Sequence, residues 1–454
     1  MYLSDRETTI AAVATPPGEG GVAIIRISGK EAVAIAEKIY AGPVRSYKSH
    51  TAHYGRIVNS AGEVVDDVLL LPMLGNRSYT GEDTVEIHCH GGSLVTRMVL
   101  EVVFEAGARA AQPGEFTYRA YINGKIDLAQ AEAVQELICA KNEHALQAAE
   151  GQLRGALSQK ILGFQEGLTD STAILEAWVD FPEEGLEFAT LEEVSEAIEK
   201  VIYPMEKLRD TFHNGKILHD GISMCLIGCP NVGKSSLMNA LLDKDRAIVS
   251  PIAGTTRDVL EDQMRINGLN FRVMDTAGVR KAEEAIEMEG IRRTQKAMEE
   301  ADLILLVLDG SRPLNEEDHD LIRKVLPHKT IAVWNKSDLP NAEKASLHFP
   351  HQISLSALQK TGIEELHQKI DAVIWEKGAP PKDEILITSL RHKEALTNAI
   401  QACKQVQKGL VDGVSPEFLS QDMRHALREL GKVIGTDITE DILSAIFSKF
   451  CIGK

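Results

Sequence analysis

The sequence predicts a multidomain fold that combines α+β and α/β architecture, with one helical domain interrupted by another domain. Three observations carry this prediction. Short predicted strands and turns fill the first part of the chain, strands and helices alternate from about 217 to 378, and helical periodicity occupies the stretches on both sides of that alternation. The length of 454 residues agrees with about three domains.

The N-terminal domain, residues 1–118, is predicted to be α+β. Its predicted strands are rich in β-branched residues and lie between turn residues, at Val22–Ser28, Val64–Leu74 and Thr84–His90. A Gly-Gly turn precedes a predicted helix at Ser93–Glu105.

The helical domain is predicted in two pieces, residues 119–214 and 381–454. Apolar residues recur at three- and four-residue spacing in both, at Ala131, Val134, Leu137 and Ile138 and at Leu419, Met423, Leu427, Leu430 and Ile434. About seventy helical residues make a marginal core alone, so we expect the two pieces to pack on each other. The α/β domain, residues 215–380, would then be an insertion, with Gly378–Glu384 as its linker.

A phosphate-binding loop opens the inserted domain. Gly228–Ser235 reads GCPNVGKS and matches the pattern G-x-x-x-x-G-K-[ST]. A predicted buried strand, Ile222–Gly228, runs into it, and a predicted helix, Ser236–Leu242, leaves it. In such a loop the backbone N–H groups surround the β-phosphate, Lys234 reaches the β/γ oxygens and Ser235 holds Mg²⁺. The loop alone predicts a phosphate binder, and together with the guanine motif described next it predicts a Ras-like P-loop GTPase domain.

Asn335–Asp338 reads NKSD and indicates that the base is guanine. A carboxylate at Asp338 accepts hydrogen bonds from the N1–H and N2–H₂ edge of guanine, which adenine does not offer. Asn335 is placed for the N7/O6 side and the stem of Lys336 for stacking. An unsatisfied charged group costs about 1.5–3 kcal/mol or more, so this pairing selects strongly. The segment Ser354–Leu358 is similar to the loop that supports the base in such enzymes.

Two further segments are typical of switch loops. Asp275–Gly278 reads DTAG, where Asp275 would hold Mg²⁺ through water and the Gly278 N–H would touch the γ-phosphate. Upstream, Ser250–Asp258 contains Thr256, whose hydroxyl would complete the Mg²⁺ shell. Loops of this kind are held by the γ-phosphate and released on hydrolysis.

The residue after DTAG is Val279, where Ras-type GTPases carry a glutamine that orients the attacking water. Another group must supply that role, and also the positive charge that an arginine finger contributes, which is worth about 10³–10⁵ in rate. Asn231 lies inside the P-loop, where its side-chain oxygen would ligate a monovalent cation. Glu287 lies in an acid-rich stretch and either orients a water or is a solvated helix residue.

Composition and charge limit the possible classes of protein. The chain has no apolar run near the 18 or so residues of a membrane span and no secretory start, and its cysteines are scattered, so we expect a cytoplasmic protein. The formal net charge is −18, whereas a chain that binds nucleic acid mainly by itself is usually basic overall or in one block. A partner or a small local patch must then hold any nucleic acid.

The chain resembles the MnmE (TrmE) family of tRNA-modification GTPases over nearly its whole length. Beyond the GTPase motifs, the resemblance rests on Thr15–Gly29 (TPPGEGGVAIIRISG), Tyr79–Gly92 (YTGEDTVEIHCHGG), Pro113–Val134 (PGEFTYRAYINGKIDLAQAEAV) and Phe450–Lys454 (FCIGK). It implies an N-terminal folate-binding and dimerising domain, a split helical domain and an inserted GTPase domain.

The resemblance also implies an activity and its partners. A homodimer works with the FAD-containing protein MnmG (GidA), in a heterotetramer or larger assembly that engages tRNA. Together they form aminomethyl or carboxymethylaminomethyl groups at C5 of the wobble uridine of certain tRNAs, with the carbon from a methylene-folate. K⁺ joins two GTPase domains across the nucleotides. The alternative is a ribosome-assembly type of regulatory GTPase switch that binds RNA directly, since Val279 and Asn231 fit both; the folate-like domain and the acidic balance favour the first.

Site residues follow from the motifs and the resemblance together. The resemblance assigns Glu287, Asn231, Lys234 and Arg257 to catalysis. Mg²⁺ would be held by Ser235 and Thr256, and K⁺ by Asn231, Ser250, Ile252 and Thr255. The residues expected to bind GTP are Asn231, Val232, Gly233, Lys234, Ser235, Ser236, Ser250, Pro251, Ile252, Ala253, Gly254, Thr255, Thr256, Asp275, Thr276, Ala277, Gly278, Asn335, Lys336, Asp338, Ser356, Ala357 and Leu358.

A folate site is implied by the resemblance alone. A 5-formyl- or methylene-tetrahydrofolate would meet Arg26, Glu82, Lys125 and Lys454, because its carboxylates suit basic residues and its pterin N–H edge suits a carboxylate. Cys451 belongs to the same matched tail. It is either a participant in one-carbon chemistry or a residue that only packs.

Overall fold

The computed structural model describes residues 7–181, 189–245, 262–274, 295–340, 347–375, 378, 380–381 and 384–453, without the side chains of 243–245 and 262–263. The chain forms two compact units. The first unit comprises Met1–Cys139, Ala149–Arg209 and Leu390–Lys454, and the second comprises Ala140–Ala148 and Asp210–Ser389. The boundaries of the four predicted segments stay a prediction.

A six-stranded sheet forms the N-terminal part of the first unit, in the order β3-β4-β5-β2-β1-β6. Its strands are β1 (Ile10–Val13), β2 (Val22–Ser28), β3 (His53–Val58), β4 (Val64–Met73), β5 (Thr84–His90) and β6 (Arg109–Ala110). Helices α1 (Ala32–Ile39) and α2 (Ser93–Glu105) pack on one face of it through alternate apolar residues such as Ile25, Ile87 and Val99. The three predicted strands and the predicted helix are confirmed, with β4 one residue shorter than expected.

Helices form the rest of the first unit. They are α3 (Glu115–Ile122), α4 (Leu128–Cys139), α6 (Ala156–Asp180), α7 (Leu191–Asp210), α12 (Leu390–Asp412), α13 (Pro416–Ile434) and α14 (Glu440–Phe447), while α5 (Glu143–Leu153) crosses from one unit to the other. Helix α13 buries the predicted stripe except for Leu427, which is half-buried, and it packs against α12 and α6. The amide of Gln165 on α6 donates to the Leu427 carbonyl oxygen at 3.2 Å.

The apolar face predicted for α4 is only partly right. Ala131 is buried, but Val134 and Leu137 are half-buried and Ile138 is exposed. Instead, Glu132 turns inward and its carboxylate lies 2.6 Å from Arg391 Nη2 and 2.7 Å from His392 Nε2. A buried ion cluster therefore occupies part of the surface that periodicity assigned to aliphatic side chains.

The second unit is an α/β domain with a six-stranded sheet in the order β12-β11-β10-β7-β9-β8. Its elements are β7 (Ile222–Ile227), β8 (Asp262–Ile266), β9 (Leu269–Met274), β10 (Leu303–Asp309), β11 (Thr330–Asn335) and β12 (His351–Ser354), with helices α8 (Phe212–Asp220), α9 (Lys234–Asp245), α10 (Glu316–Lys324) and α11 (Ile363–Ile374). All strand pairs are parallel except β8–β9. Strands β7, β10 and β11 are buried along their whole length, as parallel strands covered on both faces are. Among the helices described in either unit, none has both the length and the apolar character needed to cross a bilayer.

Candidate functional site

The candidate nucleotide site lies at the carboxyl edge of the second sheet. Parallel strands end on the same edge, and ligands of open α/β sheets bind there. The loop after β7 is Gly228–Gly233, β10 ends at Asp309, and β11 ends at Asn335. The sheet thus brings together segments that lie about a hundred residues apart in the sequence.

Glycine is required twice in the phosphate-binding loop. Gly228 has φ +156°, and a Cβ there would lie 2.3 Å from the Val307 carbonyl oxygen. Gly233 has φ +97°, and a Cβ there would lie 2.2 Å from Nδ2 of Asn335. Between them, Asn231 has φ +61°, a left-handed conformation that asparagine tolerates, and its side chain is exposed. The backbone therefore turns tightly and packs its second glycine against Asn335 at the end of β11.

Helix α9 begins at Lys234, so its N-terminal N–H groups and dipole face the loop, as in other anion-binding sites. The Nζ of Lys234 donates to the carbonyl oxygens of Gly228 at 2.7 Å and Cys229 at 2.8 Å. Burial lowers the pKa of Lys234. Ser235 and Ser236 are exposed on the first turn of the helix. The predicted phosphate and Mg²⁺ roles of Lys234 and Ser235 stay predictions.

Asn335 joins three parts of the site. Its Nδ2 donates to the Val232 carbonyl oxygen at 2.9 Å, and its Oδ1 accepts from the Ala357 N–H at 2.9 Å. The side chain is buried, so both bonds are shielded from water. One amide therefore holds the P-loop against the loop that follows β12, a role in addition to the base contact expected from the sequence.

Lys336 and Asp309 form an ion pair that the sequence analysis missed. Lys336 has φ +65°, and its Nζ lies 2.6 Å from Oδ2 of Asp309. Burial acts to raise the pKa of Asp309, but hydrogen bonds from Lys336 and Ser311 outweigh it and the pKa is lowered. The sequence did contain a signal for this ion pair, since Asp309 stands at the end of an apolar strand, as the motif residues do.

The remaining residues predicted to contact the guanine base lie at the same edge of the sheet. Asp338 and Leu358 are exposed, whereas Ser356 and Ala357 are buried. The Oγ of Ser356 accepts from the Gln359 N–H at 3.1 Å, which closes the turn that carries Leu358. An exposed carboxylate beside a rigid turn suits recognition of the edge of a base.

A second cluster lies on the N-terminal sheet, where the chain's tail meets β2. The Nε of Arg26 donates to Glu86 at 2.9 Å, and its Nη1 donates to the Gly453 carbonyl oxygen at 3.3 Å. The guanidinium lies 5.6 Å from the centroid of the Phe116 ring. Gly453 has φ +93°, and a Cβ there would lie 2.2 Å from the Val13 carbonyl oxygen, so the tail packs closely on β1.

Glu82 and Lys125 lie near this cluster in the fold. Glu82 accepts from Arg119 at 3.0 Å and from the Ser28 hydroxyl at 3.2 Å, and Ser28 shares a strand face with Arg26. Lys125 donates to the Asn76 carbonyl oxygen at 2.5 Å, and its stem packs beside Gly81, the neighbour of Glu82 in the chain.

Sequence reasoning missed two members of this second cluster. Glu86 is the partner of Arg26 across the β2–β5 pair, and Arg119 is a buried cation between Glu82 and Glu115. Strand alternation places Glu86 on the face of Arg26, so register would have found it.

Cys451 is exposed, and its backbone carbonyl accepts from the Gly114 N–H at 3.3 Å. That contact assigns no chemistry to its thiol.

Several predicted residues lie outside the described part of the chain. They are Ser250, Pro251, Ile252, Ala253, Gly254, Thr255, Thr256, Arg257, Asp275, Thr276, Ala277, Gly278, Val279, Glu287 and Lys454. Their roles stay predictions.

The parallel sheet, the loop at Gly228–Gly233 and the guanine-type motif at its edge define a P-loop GTPase. A family model described as the MnmE helical domain matches residues 128–451, and one described as the N-terminus of the GTP-binding protein TrmE matches residues 9–125. The chain belongs to the MnmE (TrmE) family, which the sequence motifs predicted.

Relatives match over the full length of the chain. A tRNA modification GTPase MnmE from Protochlamydia amoebophila is 68% identical over 98% of this chain and 97% of its own. One from Clostridioides difficile is 40% identical over the whole of both chains. Among solved structures, Aquifex aeolicus Era bound to GDP·AlF₄⁻ is 26% identical over 40% of this chain and 66% of its own, with a TM-score of 0.27. That TM-score is too low for a structural argument, and the family assignment rests on the sequence matches.

Proposed function

We propose that this protein is a K⁺-activated GTP hydrolase that modifies the wobble uridine of certain tRNAs together with an FAD-containing partner. The observation that carries the GTP part is Asn335, which links the P-loop at Val232 to the base-side loop at Ala357. The tRNA part is supported by relatives that are named tRNA modification GTPases and match nearly the whole chain. The protein would work in the cytoplasm.

Mg²⁺ and GTP fit the residues at the nucleotide edge. Ser235 offers an exposed hydroxyl on the first turn of α9, where Mg²⁺ would meet the phosphates, and we assign Thr256 as its second hydroxyl ligand. Mg²⁺ supplies charge neutralisation at the β- and γ-phosphates. Lys234 contributes a cation from a partly buried position and is already held against the loop backbone. Asp338 would accept from the guanine edge.

A potassium site is proposed at Asn231. Its exposed side chain and positive φ offer an oxygen beside the loop that holds the phosphates. Ser250, Ile252 and Thr255 would complete the shell. The ion would supply the positive charge of an arginine finger, and Glu287 would orient the attacking water. Two GTPase domains of a homodimer would meet across this ion.

The second cluster fits a tetrahydrofolate derivative. Arg26 and Lys125 supply cations for its carboxylates, and Glu82 supplies a carboxylate for the N–H edge of the pterin. The Gly453 carbonyl oxygen accepts from Arg26, and we assign Lys454, the next residue in the chain, to the same site. The folate carries the carbon that becomes the methylene of the modification. Cys451 stays a candidate for that chemistry.

The cation proposal is tested by the rate of GTP hydrolysis in matched K⁺ and Na⁺ buffers. We expect the wild-type rate to rise by about 10³-fold in K⁺, the lower end of the range of a positive finger. Asn231→Ala should abolish the difference, whereas Asn239→Ala, an exposed asparagine on α9, should retain it. Equal rates of the wild type in both buffers would contradict the proposal.

The modification is tested by mass spectrometry of tRNA nucleosides from a strain that lacks the gene. We expect the C5 side chain of the wobble uridine to disappear and to return with the wild-type gene. Glu287→Ala should bind GTP normally, fail to hydrolyse it and fail to restore the nucleoside. Unchanged wobble uridines in the deletion strain would refute the tRNA function, whatever the GTPase activity.

A further inference from the structure

Asp309 and Lys336 stand at the carboxyl ends of two neighbouring strands. Strands β10 and β11 pair in parallel with Asp309 opposite Asn335, so Lys336 follows directly after the last paired residue. The Nζ of Lys336 lies 2.6 Å from Oδ2 of Asp309. The Gly310 N–H also donates to the Asn335 carbonyl oxygen at 2.9 Å. Side chain and backbone therefore both join the NKSD segment to the end of β10.

The carboxylate of Asp309 is itself fixed. Its Oδ1 accepts from the Ser311 N–H at 2.9 Å and from the Ser311 hydroxyl at 2.6 Å, while Oδ2 meets Lys336. Only 8% of the Asp309 side chain is exposed. Bonds on both oxygens leave the carboxylate one orientation, and its burial shields the ion pair from salt. By contrast, Lys296 and Glu300 in the same unit lie 3.6 Å apart and are mostly exposed, the kind of pair that orders little.

The backbone of Lys336 adopts a conformation that must be held in place. Its φ of +65° is left-handed, which lysine rarely adopts, and such residues cluster at ligand sites. The Leu339 N–H donates to the Lys336 carbonyl oxygen at 3.1 Å, and the Ser337 N–H donates to the Leu355 carbonyl oxygen at 3.1 Å. The Lys336 side chain keeps 31% of its surface exposed, two residues before the exposed Asp338. The turn therefore fixes the lysine where the base is expected.

These contacts order the lysine side chain in the absence of a nucleotide. A free lysine side chain has many rotamers, and ordering it on binding weakens affinity. The ion pair with Asp309 holds the Nζ end of Lys336, and the bonds of the turn hold its backbone end. With both ends held, the methylene groups between them have few conformations to lose when a base stacks on them.

We propose that Asp309 is a positioning residue, which holds the Lys336 side chain as a support for the flat face of the guanine base. The face of a base is much the same in all purines, whereas Asp338 meets the edge that distinguishes guanine. Asp309 thus sets the affinity for the nucleotide and Asp338 sets the choice of base. The inference rests on the GTP part of the proposed function and holds whether or not the protein modifies tRNA.

The test measures the affinity of the full-length protein for ribose-labelled fluorescent GDP and IDP, which lacks the 2-amino group of guanine. Asp309→Asn removes the charge that holds the lysine, so we expect it to weaken both nucleotides about three- to tenfold and to keep their affinity ratio within about twofold. KM for GTP should rise by the same factor, with kcat within about twofold of the wild type. Asp338→Asn should instead lower the preference for GDP over IDP, because an amide oxygen accepts less well from the guanine edge than a carboxylate does.

A double-mutant cycle separates positioning from a purely structural role. Lys336→Met keeps an unbranched apolar stem without the ammonium group. In that background Asp309→Asn should change the affinity for GDP by less than about twofold, because no charge remains for Asp309 to hold. The matched control is Asp320→Ala, which removes the partner of the exposed Arg323 on α10 and should bind both nucleotides as the wild type does.

Three results would overturn the proposal while the wild type still binds GDP. An Asp309→Asn protein with unchanged or tighter binding would show that the ion pair does not prepare the site. An equal loss in the wild-type and Lys336→Met backgrounds would make Asp309 a structural residue that acts through Ser311. A changed ratio of GDP to IDP affinity in Asp309→Asn would place its effect at the edge of the base. A wild type that binds neither nucleotide would refute the GTP part of the proposed function itself.

Discussion

The nucleotide edge of the second unit and the N-terminal cluster of the first unit hold their functional groups by different means. The nucleotide edge depends on backbone geometry, with positive φ at Gly228, Asn231, Gly233 and Lys336 and with the amide of Asn335 between two loops. The N-terminal cluster depends on charged side chains.

Three groups of ion pairs in the first unit illustrate the use of charged side chains. Arg26 pairs with Glu86, Arg119 lies between Glu82 and Glu115, and Glu132 pairs with Arg391 and His392 elsewhere in the same unit. Among its described residues, the nucleotide edge contains one ion pair, Lys336 with Asp309, so we expect acid to affect it less than the first unit with its three groups of ion pairs. The nucleotide edge should also be easier to recognise from the sequence, because its backbone conformation restricts which residue types can occupy positions at fixed spacing.

The largest expected effect is at Lys234. Lys234→Ala removes the cation at the β- and γ-phosphates, so we expect kcat/KM for GTP to fall by about 10²–10³-fold. Steady-state phosphate release measures it. Lys324→Ala changes an exposed lysine at the end of α10 and should behave as the wild type. A loss below about tenfold at Lys234 would mean that the backbone alone supplies most of the phosphate binding.

The second largest effect is expected at Glu132, whose protonation should make the stability of the first unit depend on pH. Burial acts to raise the pKa of Glu132, but His392 and Arg391 outweigh it and lower the pKa from 4.5 to about 2. A lowered pKa contributes stability that is complete above about pH 4.5 and is lost as the pH falls toward 2. The shift corresponds to about 3 kcal/mol.

Calorimetry from pH 7 to pH 2 tests this prediction. Glu132→Gln should destabilise the first unit at pH 7 by about 3 kcal/mol, because it leaves the buried His392 and the partly buried Arg391 without a charged partner, and this deficit should shrink below pH 4.5. Glu176→Gln, in a more exposed pair with Arg424, should show little deficit at any pH. A Glu132→Gln deficit that does not change with pH would argue that the cluster acts through packing.

A smaller effect is expected at Asn335, and its substitution tests how the nucleotide site is held together. Asn335→Ala removes the bonds to Val232 and Ala357, and we expect GTP and GDP to bind about 10- to 100-fold more weakly, from about two buried hydrogen bonds. Titration with a fluorescent nucleotide measures both, and Asn239→Ala serves as the control. If only the preference for guanine changed, the amide would serve the base and not the loops.

The two regions also differ in what sequence alone reveals. The strands, the P-loop and the sheet edge that carries NKSD could be predicted from the sequence. The local backbone conformation of these segments requires Gly, Lys and Asn at fixed spacing. The ion pair of Lys336 with Asp309 was missed although Asp309 ends an apolar strand, as the motif residues do, whereas the bond of Arg26 to Gly453 was not predictable, because its residues lie 427 positions apart in the chain. The inward turn of Glu132 was hidden for the same reason, as its partners come more than 250 residues later.

The most direct test of this comparison measures the affinity of one variant for two ligands. Gly453→Val places a side chain where a Cβ would lie 2.2 Å from the Val13 carbonyl oxygen, at φ +93°, so the tail must leave its position beside Arg26. Ile452→Ala, an exposed neighbour, is the control. Calorimetric titration with 5-formyltetrahydrofolate and with GDP reads each site separately. We predict that Gly453→Val weakens folate binding by about tenfold or more and leaves GDP binding within about twofold of the wild type. Unchanged folate binding, or a parallel loss of both ligands, would contradict the account.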